Sequence, residues 1–213
     1  MTRANVPACP LTLTAGDVHL RTWEPPDAAA LVRACSDADV LRWTMLPDPY
    51  TAQVAREWVE RAAPSRWASG QGFHFGVFDA GGGALLGAAG LGELADGAAE
   101  VGYWVTRQAR GRGIATRAVT ALCRWGFEEL GLQRIGWQAL VGNWPSRAVA
   151  ERCGFRFEGT RRGGLVQRGQ RFDCWSAGLL PADTPPPAAR ARRRPHPPAA
   201  VGPPGTMGTS RSS

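Results

Sequence analysis

The segment Gln108-Ala109-Arg110-Gly111-Arg112-Gly113-Ile114-Ala115 decides how this chain is interpreted. It follows a strand pattern, Glu100-Val-Gly-Tyr-Trp-Val105, and precedes an apolar stripe that predicts a helix from about Ile114 to Leu130. The first turn of a helix carries unpaired N–H groups and a positive dipole end, and glycine lets an anion approach the backbone. The segment is therefore predicted to hold a diphosphate, with Arg110 and Arg112 as two added positive charges.

Two common nucleotide motifs do not fit this spacing. The pattern is not G-x-x-x-x-G-K-[ST], and the chain contains no Lys. The third glycine of a dinucleotide fingerprint would fall at Thr116, and no acidic residue ends the next strand. A lone G-x-G pair also occurs where a helix simply begins with glycines for turn geometry and arginines for solubility. The segment alone does not distinguish this simpler interpretation from a diphosphate site.

The sequence around this turn predicts one mixed α/β domain. Segments with the alternation or composition of strands are 18–23, 73–79, 84–94, 100–105, 134–141, 155–161 and 170–179. Segments with helical spacing and capping residues are about 25–35, 51–63, 114–130 and 145–153. Because most strands come first and only the middle alternates strand with helix, a regular doubly wound sheet is not expected.

The chain divides into three zones. Residues 1–16 are expected to be a loose lead-in, 17–181 the folded domain, and 182–213 a disordered tail rich in Pro and Arg, with few large apolar side chains. The tail holds five Arg and one Asp, so it carries +4 of the net charge of +7, and the body alone gives weak support for a nucleic-acid partner. Without a long apolar run or a secretory signal pattern, the chain is expected to be cytoplasmic, with no membrane partner.

Cysteine and histidine usage argues against a metal or disulfide framework. The five cysteines are scattered without a C-x-x-C pair, and there are only three histidines. No metal site is therefore predicted.

Three blocks of sequence resemble one enzyme family. The glycine segment, read as Gln108-x-x-Gly111-x-Gly113-Ile114-Ala115, resembles the acyl-CoA motif of the GNAT N-acetyltransferases. The other blocks, in chain order, are Asn143-x-x-Ser146-x-x-Val149, Cys153-Gly154-Phe155 with Glu158-Gly159, and Arg171-Phe172-Asp173. Together with the opening HLRTWEPPDAAAL (19–31), they resemble the RimJ/RimL-like branch, which includes ribosomal-protein N-terminal acetyltransferases, over roughly residues 17–180.

The resemblance implies a fold and an activity. The fold would be the GNAT fold, an α/β fold of the α+β type. It has a mixed, mostly antiparallel sheet of about seven strands, splayed in the middle by a bulge and flanked by about four helices. The activity would be transfer of an acetyl group from acetyl-CoA to a primary amine, of a protein N-terminus or a small molecule, by direct attack through a tetrahedral intermediate. Alternatives are a succinyl or other acyl donor, a non-catalytic CoA-binding protein, or a nucleic-acid-associated protein; dimers are common in the branch, so a homodimer is a candidate.

The resemblance also implies which residues bind CoA. The pantetheine arm would pair with the backbone of Tyr103, Trp104 and Val105, and a backbone N–H near Val105 would stabilise the oxyanion. Asn143 would lie beside the pantetheine amides. The diphosphate would lie on the N–H groups of Arg110, Gly111, Arg112, Gly113, Ile114 and Ala115.

The sequence offers one candidate base and one candidate acid for proton transfer. Glu100 occupies the family's Glu position and is the candidate base, acting through water, although a solvent-facing strand Glu would look the same. Asp173 is a weaker alternative, and His74 is more typical of a packed strand histidine. Ser146 is the candidate acid, because the position where many family members have Tyr is Ala150 here.

The acceptor pocket would be formed by about 40–50 and by the closing hairpin, about 161–170. The first segment is apolar and aromatic, and the second is basic. The basic segment suits an acidic acceptor or acyl donor, although its arginines fit a solvated surface equally well. The candidate substrate-binding residues are Trp43, Met45, Tyr50, Arg162 and Asp173, with Val40, Arg161, Gly164 and Arg168 nearby.

Overall fold

Among the described residues, the strands form one eight-stranded sheet, in the order β1-β2-β3-β4-β5-β6-β8-β7. The structure is a computed structural model that describes residues 7, 9–81 and 83–184. The strands are β1 Thr12–Ala15, β2 Val18–Arg21, β3 Gly72–Asp79, β4 Leu85–Ala95, β5 Ala98–Val105, β6 Arg134–Leu140, β7 Arg156–Gln167 and β8 Gln170–Leu179. Every neighbouring pair is antiparallel except β5 and β6, which confirms the predicted mixed, mostly antiparallel sheet.

The eighth strand is β1, and it lies inside the segment expected to be a loose lead-in. Thr12–Ala15 pairs in register with Val18–Arg21 through a tight turn at Gly16, whose φ of +66° favours glycine. The expectation of a loose segment is therefore wrong for these four residues. A four-residue strand with half-exposed side chains has too little patterning to be recognised from sequence.

Within the described residues, six α-helices cover the two faces of the sheet. They are α1 Ala28–Cys35, α2 Ala38–Trp43, α3 Ala52–Glu57, α4 Ala63–Ala68, α5 Ile114–Glu128 and α6 Trp144–Arg152. Helix α2 was not predicted, and the predicted helix 51–63 continues through a π-helical turn, Trp58–Ala62, into α4. Pro64 lies just after this turn, where the missing N–H and the bulky ring of proline disturb regular helix bonding.

The core is divided between the two faces. On one face, α5 and α6 cover the larger cluster, in which Phe73, Phe75, Leu91 and Trp125 are buried. On the other face, α1, α3 and the π-helical turn cover a smaller cluster around Trp23 and Phe78. Beyond the edge of the smaller cluster, the second face of the sheet is open, and this is where the cavity described below lies.

Strands β5 and β6 separate halfway along their length. Their pairing covers only Ala98–Val101 with Arg134–Trp137, whereas β5 continues to Val105 and β6 to Leu140. In the described structure, the β6-side edge of 102–105 has no strand partner. The predicted splay is thus confirmed. The register shift on the other side of β5 lies at Gly92/Ala95, not beside the gap as expected for the bulge.

Helical structure continues slightly beyond the predicted domain boundary at residue 181. Pro181–Asp183 forms a 3-10 turn, and Asp183 forms an ion pair with Arg156 of β7. The rest of the predicted tail, 185–213, lies outside the described residues. Among the helices that the structure describes, none is long and apolar enough to cross a membrane.

Candidate active site

A cavity of about 1560 Å³ lies where β5 and β6 separate. Its lining includes the candidate base Glu100, the candidate acid Ser146 and the motif residue Asn143. It also includes further predicted residues from the donor and acceptor sides, namely Trp43, Met45, Tyr50, Tyr103, Trp104, Val105, Arg110 and Ala115. The fold therefore brings most of the predicted site residues into one space.

Glycines form the floor of this cavity. Gly90 and Gly92 of β4 pair across to Gly102 and Glu100 of β5 and line the cavity together with Gly102. We call Gly90, Gly92 and Gly102 the glycine floor. Because alternate strand residues face opposite sides, the residues between them point into the larger core, where Leu91 is fully buried.

Glu100 lies beside the glycine floor, and its neighbours on both adjacent strands are glycines. Its cross-strand partners are Gly92 and Gly136, and its Oε2 accepts a hydrogen bond of 2.8 Å from Gln138 Nε2. Burial raises the pKa of the Glu100 carboxyl above its ordinary value, and nearby Glu93 adds to this, while the Gln138 hydrogen bond and Arg161 oppose it. A buried carboxylate with a raised pKa has the properties required of a general base.

Ser146 forms a small hydrogen-bond network with a tyrosine on β5. Its Oγ donates to Tyr103 Oη (3.1 Å) and accepts from Trp137 Nε1 (3.2 Å), and Tyr103 Oη donates to the Ser146 carbonyl oxygen (2.8 Å). Burial raises the pKa of the Tyr103 hydroxyl, so it keeps its proton. Tyr103 was predicted only as a backbone contact for CoA, but its side chain holds the candidate acid.

The candidate base and the candidate acid lie on opposite faces of β5. Glu100, Gly102 and Trp104 share the face of the glycine floor, whereas Tyr103 packs with the larger core and contacts Ser146 of α6. The separation of β5 from β6 connects these two faces. A group held in this gap is therefore accessible to a base from one side and to an acid from the other.

Asn143 has a structural role that leaves its amide donor group free for a ligand. It is the buried N-cap of α6, where its Oδ1 accepts a hydrogen bond of 3.2 Å from the Ser146 N–H. Among the described residues, its NH₂ group has no hydrogen-bond partner in the protein. The cap and the predicted pantetheine contact thus use different atoms of one side chain.

The glycine turn has the backbone geometry predicted for an anion cradle. Gly111 and Gly113 have φ values of +73° and +70°, and Gly113 is the N-cap of α5. A Cβ at Gly111 would meet no atom within 4 Å, so the surface over this residue is open. Ile114 is buried in the larger core and offers only its backbone N–H, while the exposed Arg112 has no ion-pair partner among the described residues.

Arg110 does not fit the predicted role of a phosphate cation. Its guanidinium donates to Asp37 Oδ1 and to Asp39 Oδ2, both at 2.7 Å, and its own N–H donates to the Arg107 carbonyl oxygen at 3.3 Å. Its charge is thus neutralised by two carboxylates more than 70 positions earlier in the chain. The predicted diphosphate site is therefore limited to the backbone N–H groups of 111–115, with Arg112 as its cation.

The same contact fixes one wall of the cavity. Asp37 is the N-cap of α2, and the Arg110 guanidinium holds the pKa of this carboxyl below its ordinary value. At the other end of α2, the buried Gln167 donates from Nε2 to the carbonyl oxygens of Leu41, Arg42 and Thr44. Polar contacts from the glycine turn and from the closing hairpin therefore hold the helix that leads into Trp43 and Met45.

Two predicted substrate residues lie outside the cavity. Arg162 is exposed on β7, and the neighbouring Arg161 lines the cavity instead. Asp173 accepts a hydrogen bond of 2.8 Å from the Gly163 N–H and so fixes an irregularity in β7. The expected loop 161–170 is strand as far as Gln167, because β7 continues to a tight turn at Arg168 and Gly169.

His74 and Trp58 are cavity residues that sequence reasoning set aside or missed. The His74 ring lies over the sheet, where a Cβ at Gly90 would collide with it, and makes an edge-to-face contact with Trp58 at 5.1 Å between ring centroids. Burial lowers the pKa of His74 to about 4, so its ring is neutral at neutral pH. The signal available in the sequence was the pair of glycines at alternate positions of β4, Gly90 and Gly92, together with Gly72 and Gly76 on either side of His74 in β3.

Comparison with known proteins agrees with this geometry. A model of the GNAT acetyltransferase domain matches residues 17–156. The chain belongs to the GNAT family. The relative YdaF of Bacillus subtilis (strain 168), provisionally assigned as a ribosomal N-acetyltransferase, is 35% identical over 169 residues, which are 76% of this chain and 91% of YdaF.

Solved acetyltransferase structures have a similar fold. One crystal structure described as an acetyltransferase has a TM-score of 0.74 and 32% identity, covering 81% of this chain and 98% of its own. Mycobacterium smegmatis RimJ, solved with a CoA disulfide, has a TM-score of 0.71 and 27% identity, covering 83% of this chain and 88% of RimJ. This protein is accordingly a GNAT acetyltransferase related to the RimJ/RimL group. Among the described residues, no cluster of three or more His, Cys, Asp or Glu could hold a metal ion.

Proposed function

We propose that this enzyme transfers an acetyl group from acetyl-CoA to a primary amine, with a protein N-terminus as the favoured acceptor and a small-molecule amine as the alternative. The observation that carries the proposal is the placement of Glu100 and Ser146 on opposite faces of β5, at the gap beside β6. The relation to YdaF and the CoA-bound RimJ support the choice of acceptor and of donor.

The donor fits the open edge of β5 and the glycine turn. The diphosphate would be bound by the N–H groups of 111–115 and by Arg112, because a helix start bears positive partial charge. The unpaired edge of 102–105 offers backbone groups to the pantetheine amides, and Asn143 adds its NH₂ group. The thioester would then lie in the gap between β5 and β6.

The proton transfers follow from the two sides of the gap. The amine nitrogen forms a bond to the thioester carbonyl carbon, and a backbone N–H near Val105 stabilises the oxyanion. Glu100 accepts the amine proton through water. As the C–S bond breaks, Ser146 donates its hydroxyl proton to the thiolate, and its oxygen regains a proton from water. Tyr103 and Trp137 hold this hydroxyl in place by hydrogen bonds.

A thiol-release assay with a panel of amines tests this function. We expect CoA release from acetyl-CoA that depends on the amine, and slower release from succinyl-CoA. Ser146→Ala should lower kcat about 10²-fold without changing the acetyl-CoA Kd, because it removes the proton donor. Ser69→Ala is the matched control, since Ser69 bonds a backbone carbonyl at the end of α4, away from the cavity.

Other outcomes would select the rival functions. CoA binding without thiol release for any amine would indicate a non-catalytic CoA-binding protein. Deletion of 185–213 with loss of RNA retention would indicate a nucleic-acid role for that segment. A ribosomal acceptor would place the enzyme in the cytoplasm, as the sequence predicts, and a homodimer stays a prediction.

A further inference from the structure

We propose that the acceptor amine carries a flat apolar ring, and that this ring lies over Gly102 in a slot bordered by Glu100, Trp104, His74 and Trp58. The inference rests on the proposed function, since it specifies the acceptor of the same cavity. It assigns a binding role to His74 and Trp58, which the transfer chemistry does not use, and to the open face of Gly102, of which the donor uses only the backbone edge.

The slot is open because its floor lacks side chains. A Cβ at Gly102 would meet no atom within 4 Å, and a Cβ at Gly92 would meet only His74 Cε1, at 3.9 Å. Both glycines have ordinary extended backbone, so turn geometry does not explain them. Space for a ligand does explain them, because a side chain at either position would fill the cavity.

Aromatic groups border this floor. Trp104 lies two residues from Gly102 on the same face of β5 and packs at the edge of the smaller core. On the β3 side, His74 faces Gly90 across the strands, and Trp58 is fixed against its ring. Rings placed around a flat backbone surface favour a planar apolar group, since aromatic pairs gain from edge-to-face and offset contacts.

Trp58 is set in an irregular part of its helix. It begins the π-helical turn Trp58–Ala62, and both ends of this turn line the cavity. Such insertions are frequent at functional sites, because they change the direction of a helix face. Here the insertion accompanies the placement of an indole over the second face of the sheet.

The charges agree with an amine at one end and an apolar ring at the other. Glu100 and Glu93 line the cavity beside the paired half of β5 and β6, while the His74 ring on the β3 side is neutral and has the cation Arg66 near it. Glu100 and Gly102 are two residues apart on one strand, about 7 Å. A two-carbon linker between amine and ring has a comparable reach.

Three amines of graded shape test the slot. With acetyl-CoA, we expect kcat/KM for 2-phenylethylamine to exceed that for n-propylamine at least about tenfold, because the ring gains buried contact. 2-Cyclohexylethylamine, equally apolar but thicker, should fall between them. Equal values for phenyl and propyl amines, or a higher value for the cyclohexyl compound, would overturn the slot.

Glycine variants locate the preference. Gly102→Val and Gly92→Ala should each lower the ratio of kcat/KM for 2-phenylethylamine to that for n-propylamine, about tenfold for the larger change. Gly81→Ala is the matched control, since Gly81 lies in the β3–β4 turn, where an added Cβ makes only an ordinary contact with Asp79. An unchanged ratio in both floor variants would contradict the proposal, and circular dichroism shows that each is folded.

Calorimetry separates this inference from the proposed function. The titration measures binding of 2-phenylethylamine and of n-propylamine to the protein saturated with CoA. Selective binding without turnover would support the slot and contradict the transferase chemistry. Turnover of both amines without selective binding would support the transferase function and contradict the slot. Absence of both turnover and selective binding would contradict both proposals.

Discussion

The buried carboxyl of Glu100 links reactivity to stability at a single residue. Because burial raises its pKa, kcat/KM should fall as the pH drops through that raised pKa, where the base becomes protonated. Glu100→Gln should lose this acid limb and lower kcat/KM about 10²-fold at neutral pH. The loss should shrink above the pKa of the amine, where free amine no longer needs a base. A pH–rate profile checks this, and an unaltered profile would dismiss Glu100 as the base.

The same substitution should change the pH dependence of unfolding. The pKa of Glu100 is higher in the folded than in the unfolded protein, so the folded state binds the proton more tightly. Its contribution to stability is therefore full below the unfolded-state value and is lost as pH rises through the folded-state value. Glu100→Gln should raise Tm at neutral pH and converge with the wild type at acid pH, as thermal unfolding would show.

The positions of single residues followed from the sequence where they depend on local structure, whereas contacts with distant partners did not. Glu100, Ser146 and Asn143 lie in the cavity, because strand alternation and a helix N-cap place them there. Arg110 was misassigned, since its carboxylate partners come from α2 and no local pattern reveals them. The contact between the Tyr103 side chain and Ser146 was also missed, because the two residues lie 43 positions apart in the chain.

Among the elements, α2 depends on polar contacts more than on packing. Val40 is its only buried residue, so Arg110 at one end and Gln167 at the other determine where it lies. Its own sequence offers little apolar periodicity, which explains why it was missed. The strand β7 was predicted too short, because its irregular pairing interrupts the expected alternation.

Loss of the Arg110 contact should affect the acceptor more than the donor. Arg110→Gln removes charged hydrogen bonds to Asp37 and Asp39 and should raise the acceptor KM about tenfold, while the acetyl-CoA Kd changes by less than about threefold. Steady-state kinetics and calorimetry measure the two constants. Arg107→Gln is the matched control, since the exposed Arg107 side chain makes only a long ion pair with the same helix, 3.7 Å between its Nε and Asp37 Oδ2. A weaker acetyl-CoA Kd with an unchanged acceptor KM would restore Arg110 as a phosphate ligand.

For the whole molecule, the fold predicted from the three sequence blocks is confirmed, because the motifs lie on elements next to the splayed strands. About seven strands and about four helices were expected, and the part of the chain that the structure describes has eight strands and six α-helices, the additional ones all short. Short elements are held by tertiary contacts, which a single sequence does not display.

Donor binding should stabilise the entire domain through the glycine turn. Acetyl-CoA at 100 times its Kd should add about 2.7 kcal/mol, which is a rise in Tm of roughly 5–10 °C for a domain of this size. S-acetylpantetheine, which lacks the diphosphate, should give a much smaller rise at the same concentration. Equal rises in a thermal-shift assay would show that 111–115 do not grip the diphosphate.

Strand β5 presents the acid partner on one side and the bare glycine surface on the other. A partition of this kind lets the two halves of a reaction diverge independently. Substitutions on the glycine side alter what is acylated, and those on the opposite side alter how the thioester is cleaved. A library limited to position 92 is therefore a compact route to enzymes with new amine preferences and an unchanged donor.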